Sequence, residues 1–370
     1  MRTHAALRFV ARLAAGAAIA ALAGCVTLPD RVAFDLRPPS AAEPQAFGGE
    51  ADSAVAPLPS TQRRRKFDER SLPLAHGQII VSESGGSMSL FYSLFAVDYL
   101  PWVHAGIVAI EAGEAVVYEA DGDFFPVPGL PPTATVRGAV RRVSVQDFAR
   151  GKRIIGLYAL PPEVERDRLV AFAREQYERG TPFDPYFDTD DASALYCTEL
   201  VARALVAAGA TKVETTPLRD NVSLALARDW LRLRSRRVYL AGRLVEPRLE
   251  LGRWSADLSR SQIDAYFAIK RELHRRFDAN ARLGHLFSWN GTSLRLRDSV
   301  TRFMNAALAA SKDPRLDALA ASALIERLAH EQLDAEPVAV VSASTRSPID
   351  GSGEAIGAVR RTGDSQVTAR

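Results

Sequence analysis

The stretch YCTELV, residues 196–201, sets one of only two cysteines in the 370-residue chain behind a tyrosine and ahead of an apolar stripe. A thiol can serve as a nucleophile, provided a base activates it and a third group orients the base. Six histidines are present. His4 lies at the extreme N-terminus, His76 ahead of a candidate first strand, and His274, His285 and His330 in a helical region. His104 differs. It opens the β-branched run of WVHAGIV, where packing against a sheet can hold an imidazole rigidly. Glu119, in VVYEAD, follows in the next candidate strand and could fix the imidazole tautomer.

These side chains depend on the elements that carry them. Leu200, Val201, Ala204, Leu205 and Ala208 follow Cys197 at helical spacing, so the thiol falls in the first turn, on the packing face. Backbone N–H groups are unpaired there and the helix dipole is positive, which favours a thiolate. Asp190, Asp191 and Ser193 offer caps. A buried structural cysteine suits the same position, so placement alone does not decide. Strands are expected over 78–82, 103–111, 115–120 and 153–160, and helices over 88–99, 163–179, 197–208 and 221–232. A further strand is expected over 237–245. The turn Glu111-Ala112-Gly113-Glu114 joins two strands into a hairpin with His104 and Glu119 as near cross-strand neighbours. Within that second strand Val117 and Glu119 are expected to face inward and Tyr118 outward.

The N-terminus has its own pattern. Arg2, Arg8 and Arg12 precede an apolar run, Leu13 to Ala23, too short to span a bilayer. It ends Leu22-Ala23-Gly24-Cys25, which resembles the lipobox of bacterial lipoproteins. The resemblance implies acylation of Cys25, a membrane tether through the lipid and a periplasm-facing position in the cell envelope. Val26 and Thr27, in place of an aspartate, favour the outer membrane. Without the three leader arginines, basic and acidic residues balance at 44 each. The sequence pI of 8.9 therefore makes no case for nucleic acid. The run Arg63-Arg64-Arg65-Lys66 reads as a solvated linker segment.

The expected organisation is a leader over 1–24, a Pro-, Ala- and Ser-rich tether over 25–72, an α+β domain over 73–250, a helical extension over 251–335 and a polar tail over 336–370. In the extension, Ile263, Tyr266, Phe267, Leu273 and Phe277 recur at mostly helical spacing, as do Val300, Phe303, Met304, Ala307 and Leu308. Asp313-Pro314 reads as a cap ahead of another helix. His and Cys are too few and scattered for a zinc site, and no glycine loop cradles a phosphate, so no cofactor is expected.

Taken in order, W-x-H-x-G-I-V, Y-E-A and Y-C-T-E-L-V resemble the circularly permuted papain-fold amidases of the YaeF/YiiX kind, in the NlpC-type hydrolase superfamily. GQII at 77–80 resembles that family's opening G-D-I-I strand. PFDPYFDTDD at 182–191 resembles its approach to the cysteine helix. The resemblance covers roughly residues 76–208. It implies a permuted papain-like domain with an antiparallel sheet packed on the nucleophile helix. Cys197 would be the nucleophile, His104 the general base and then acid, and Glu119 the orienting residue. Tyr196 would help form the oxyanion site with the backbone N–H of Cys197. Gln78 stands where the family commonly has Asp, and Val103 where Ser or Thr often precedes the histidine. The implied activity is amide hydrolysis through a thioester, on an envelope amide or lipid-like substrate. Two alternatives come from other classes. One is acyl transfer or lipid deacylation of the lecithin–retinol acyltransferase type, whose cysteine motif reads N-C-E-H-F. The other is a non-catalytic envelope-binding lipoprotein, which would be expected to lose a triad member. Composition sets no oligomeric state.

Overall fold

Alternating β-branched residues and helical apolar stripes produce a mixed architecture. The computed structural model describes residues 72–124, 136–289, 294–313, 316 and 318–334. The leader, Cys25, the tether with its Arg63–Lys66 run and the 336–370 tail lie outside the described residues. In chain order the elements are β1 (Gln78–Glu83), α1 (Gly86–Ser93), β2 (His104–Glu111), β3 (Glu114–Phe124), β4 (Val136–Ser144), α2 (Val145–Ala149), β5 (Ile154–Tyr158), α3 (Arg166–Glu178) and α4 (Cys197–Ala207). There follow β6 (Thr216–Pro217), α5 (Val222–Leu231), β7 (Arg237–Val238), β8 (Glu250–Ser255), α6 (Arg260–Asn280), β9 (Phe287–Trp289), β10 (Leu294–Leu296), α7 (Asp298–Ala310) and α8 (Ala318–Ala329).

The main sheet has the order β4-β3-β2-β1-β5-β8, antiparallel throughout. The fold is thus α+β, an antiparallel sheet with helices that continue to the C-terminal side. The β2–β3 hairpin turns at Ala112 and Gly113, both at positive φ (50° and 84°). That two-residue turn matches the twist of the strands and fixes their register. Both sheet faces are covered. Ala105, Ile107, Val116 and Tyr118 join the larger core with α4, while Val108, Val117 and Phe148 form a second core on the opposite face. Tyr118 is therefore buried where exposure was expected, and its hydroxyl donates to Glu111 Oε1 at 2.7 Å.

Three expected elements differ. The helix over 88–99 ends at Ser93, because the Arg219 guanidinium gathers the carbonyls of Leu94, Ala96 and Val97 at 2.8–3.0 Å. The strand over 237–245 shrinks to Arg237–Val238, since the chain coils into a 3-10 turn at Ala241–Arg243. Where a helical extension from 251 was expected, Glu250–Ser255 is instead a strand paired with β5. Tertiary pairing overrides local pattern here, and β4, rich in arginine, was not expected at all. Helix α6 opens with a full capping box at Ser259 and Gln262. Ile263, Tyr266 and Leu273 of α6, with Val300 and Phe303 of α7, belong to the same apolar core as β1 and α4. The C-terminal helices pack on the sheet through that shared core.

Candidate active site

Cys197 opens α4, and the segment before it explains why the helix starts there. Asp184 is buried, and its carboxylate accepts from the amides of Tyr186 at 2.8 Å and Asp188 at 2.5 Å. Such a local turn cannot continue as helix or strand. The chain returns so that Leu195 N–H reaches Pro182 O at 2.9 Å and Asp184 N–H reaches Leu195 O at 3.1 Å. This loop delivers Tyr196 to the N-cap position without any side-chain cap. The expected caps serve elsewhere: Asp191 accepts from Ser193 N–H within its own loop. The start of α4 therefore keeps first-turn N–H groups free of side-chain caps, the arrangement that binds developing negative charge.

The stripe behind Cys197 is buried as expected, with Leu200, Val201, Ala204 and Ala208 sealed. Cys197 itself is half-buried and lines a cavity of about 200 Å³. His104 lines the same cavity and is buried. Its Nε2 lies 2.5 Å from Glu119 Oε2. The hairpin rungs run from Glu111↔Glu114 to Ile107↔Tyr118, so His104 and Glu119 are diagonal neighbours rather than directly opposed. Long side chains bridge that diagonal. With Nε2 committed to Glu119, Nδ1 is the nitrogen left for the thiol.

The electrostatics follow from this placement. Burial pushes the His104 ring down from its ordinary 6.5. The charge of Cys197 and the hydrogen bonds with Cys197 and Glu119 outweigh burial and the nearby Lys152, and lift the ring to about 9. For Glu119, burial pushes upward. The bond to His104 and the charges of His104 and Arg141 overcome it and hold the carboxyl at about 2. The site therefore favours imidazolium and carboxylate side by side.

Arg141 carries no sequence signal of its role. It sits directly opposite Glu119 on β4. Its Nε and Nη2 donate to Glu119 Oε1 at 3.0 and 2.8 Å, and Nη2 also pairs with Asp121 at 2.5 Å. Phe148 of α2 lies against the imidazole, ring centroids 5.6 Å apart. Gly106 makes room for it: a Cβ there would meet Val117 Cγ1 at 2.6 Å and Phe148 at 3.4 Å. Glu199, two residues after the thiol, is fully buried and pairs with Arg203 at 2.7 Å. Burial pushes its carboxyl up to about 7 against the pull of Arg203.

Tyr196 is sealed, stacked near Phe187 at 4.6 Å, and its hydroxyl accepts from Tyr239 N–H at 2.9 Å. What the structure shows for this hydroxyl is an anchor to the chain after β7, in which it accepts and keeps its own O–H to donate. Gln78 bonds Pro73 O and Ala75 N–H at the start of β1, at the other end of that strand from Ser82, which pairs with His104. His76 contacts Ile110 and Asp167, His274 contacts Ala96 and Arg219, and His330 contacts Asp334. None of these lines the cavity.

No family model matches this chain, and no curated protein matches it. Among solved structures, one that resembles it is the crystal structure of the metalloprotein yiiX from Escherichia coli O157:H7 (DUF1105). The superposition has a TM-score of 0.36 at 16% identity, covering 49% of this chain and 97% of that one. The resemblance is weak and partial. Among the described residues, no group of three or more His, Cys, Asp or Glu side chains is placed to hold a metal ion.

Two expectations follow from the geometry. His104 holds its proton more tightly in the fold, at about 9, than in the unfolded chain, at 6.5. Its stabilising contribution is thus whole below pH 6.5 and lost as pH rises through 9. An NMR titration of the ring is expected to show a midpoint near 9, moving down in Cys197→Ala. A wild-type midpoint near 6.5 would contradict the pairing. The sign is opposite for Glu119, whose contribution is whole above 4.5 and lost as pH falls through about 2. Arg141→Met is expected to move that acid loss to higher pH. It should also cost about 1 kcal/mol at neutral pH, the modest figure reflecting the half-exposed guanidinium. Urea unfolding across an acid pH series reads both, and an acid limb that stays put removes Arg141 from the assembly.

Proposed function

We propose that the protein is a thiol hydrolase, an amidase or peptidase built on a permuted papain-like domain. The observation that carries this reading is a thiol and an imidazole lining one cavity, with a carboxylate behind the imidazole. They are a half-buried cysteine at an uncapped helix start, a buried histidine on the wall of the same cavity, and a sealed glutamate 2.5 Å behind the histidine.

The chemistry would run as follows. The Cys197 thiolate attacks the carbonyl carbon of an amide, forming a C–S bond. The oxyanion is met by the N–H of Cys197 at the start of α4. His104, as imidazolium, gives its proton to the departing amine as the C–N bond breaks. Water then attacks the thioester, its proton passing to His104, and the C–S bond breaks to release the acid and regenerate the thiolate–imidazolium pair. Glu119 keeps Nε2 bonded throughout, so that Nδ1 stays toward the thiol. Arg141 would act as a positioning residue through Glu119.

The envelope setting belongs to the same proposal. A lipid on Cys25 would tether the chain to the membrane, facing the periplasm and favouring the outer membrane. Amides of peptidoglycan peptides, amino acids or lipids would then be within reach.

The test is capture of the thioester. The full chain is mixed with a panel of acyl p-nitroanilides and quenched in acid, and the acylated peptide is located by mass spectrometry. Acylation of Cys197, removable by hydroxylamine and lost in His104→Ala, is the expected result. Absence of any adduct on Cys197, or adducts indifferent to His104, would count against the hydrolase reading.

A further inference from the structure

His104 is bonded on one flank. Its Nε2 meets Glu119, which stands on β3, and Phe148 lies against the ring. On the other flank β2 pairs with β1, and the residue directly opposite His104 is Ser82. Directly opposed residues of an antiparallel pair point to the same face, with Cβ atoms about 4.5–5.5 Å apart. The flanking residues agree. Ile80 and Val108 join Phe148 in one core, while Val81 and Ala105 join the core on the opposite face. Ser82 and His104 therefore project together on the Phe148 side of the sheet. The third member of that rung is Ile155, on β5. Ser82 is fully sealed, and its Oγ has no hydrogen-bond partner among the described residues. A sealed hydroxyl without a bond opposes folding, whereas alanine would fill this rung at no such cost. The two nitrogens of an imidazole lie on opposite edges of the ring. With its Nε2 edge turned toward β3, His104 turns its Nδ1 edge away from β3, toward the flank on which Ser82 stands.

We propose that Ser82 is a positioning residue, whose hydroxyl accepts from the Nδ1–H of His104 while the Cys197 sulfur is bonded to substrate carbon. The inference rests on the thiol-hydrolase reading and adds one residue to it. In the resting pair the Nδ1–H has the thiolate to face. In the tetrahedral intermediates of acylation and deacylation the sulfur is held in a C–S bond and has lost its negative charge, yet the ring is still imidazolium. A turn about the Ser82 Cα–Cβ bond then brings Oγ to the Nδ1 edge. Ser82 only accepts, so every proton stays in the relay between His104, the amine and water. A bond from a charged donor is about twice as strong as one between neutral groups, so the hydroxyl favours the imidazolium over the neutral ring. Glu119 and Ser82 thereby hold the charged ring from both flanks.

The ring is read first with the sulfur removed, by NMR titration of His104 in the full chain carrying Cys197→Ala. Adding Ser82→Ala is expected to lower the midpoint by about half a unit to one unit, roughly a three- to tenfold loss of proton affinity. Glu119, Arg141 and Lys152, the other charged groups around the ring and its carboxylate, are the same in both proteins. Ser82→Thr in place of alanine is expected to restore the midpoint, and Ser82→Val, of the same shape without the hydroxyl, is expected to leave it low. That pair serves if the alanine form does not fold. Equal midpoints with and without the hydroxyl would overturn the proposal. The second reading is the decay of acyl-Cys197 in the chain with its thiol intact, followed by mass spectrometry once the p-nitroanilide is removed. Ser82→Ala is expected to slow that decay by about tenfold. Unchanged decay would overturn the role in catalysis even if the midpoint moves. If no acyl group ever appears on Cys197 of the unaltered chain, the hydrolase reading fails and this role fails with it, whereas the midpoint comparison, which needs no turnover, still reports whether Ser82 meets the ring.

Discussion

Cys197→Ala is expected to abolish amide turnover, and His104→Ala to cost nearly as much, each about 10⁴-fold or more in kcat. The two losses should not add. A double variant is expected to be no worse than the weaker single one, because the thiolate and imidazolium act as one unit. Glu119→Gln is expected to fall between, at about 10²- to 10⁴-fold, since an amide can hold the ring but cannot stabilise its charge. The order follows from the geometry. In the proposed mechanism Cys197 would supply the bond and His104 would move the proton, while the Glu119 carboxylate bonds His104 and Arg141. Turnover is read with the p-nitroanilide that acylates best, and folding is checked by near-UV circular dichroism. Retention of activity within tenfold in Cys197→Ala would remove the nucleophile from the mechanism.

The second large effect lies away from the thiol. Glu83, at the end of β1, and Lys270, in the middle of α6, are both sealed from solvent, and Lys270 Nζ meets Glu83 Oε2 at 2.9 Å. The other carboxylate oxygen accepts from Gly85 N–H at 2.9 Å, from Tyr266 at 3.1 Å and from Ser89. Lys270 also donates to Ser89 Oγ at 2.9 Å. Burial pushes the Lys270 ammonium down, and Glu83 opposes that shift. Lys270→Met is expected to destabilise the fold by about 3–5 kcal/mol, because it strands a buried carboxylate. Glu83→Met combined with Lys270→Met is expected to recover most of that loss, since removing both charges removes the desolvation cost as well. Denaturant unfolding of the full chain measures each variant. Equal losses in the single and double variants would show that packing, rather than charge, dominates there. Ser89 also lines the cavity, so this network ties the α1 wall to the C-terminal helices. The region after residue 260 thereby supports the candidate site.

Much of the site was legible before any coordinates. The stripe Leu200, Val201, Ala204 and Leu205 has a period only a helix can bury on one face, so Cys197 had to fall in a first turn. The β-branched runs around His104 and Glu119, joined by a turn able to take two positive φ values, had to form a hairpin bringing the two within reach. These are local facts, fixed by steric preference and periodicity over a few residues. Periodicity records whether a position is buried and carries nothing about what lies opposite. Arg141 became the partner of Glu119 only because β4 docks on the far edge of β3. Phe148 reached the imidazole only because α2 follows β4 back across the sheet. Tyr118 was misjudged because helices cover a face that a hairpin alone would leave to water. Glu83 and Lys270, 187 residues apart, and the apolar cavity exist only where distant segments close on each other. Those pairings are settled by the free energy of the whole packed core, to which no single stretch of sequence gives access.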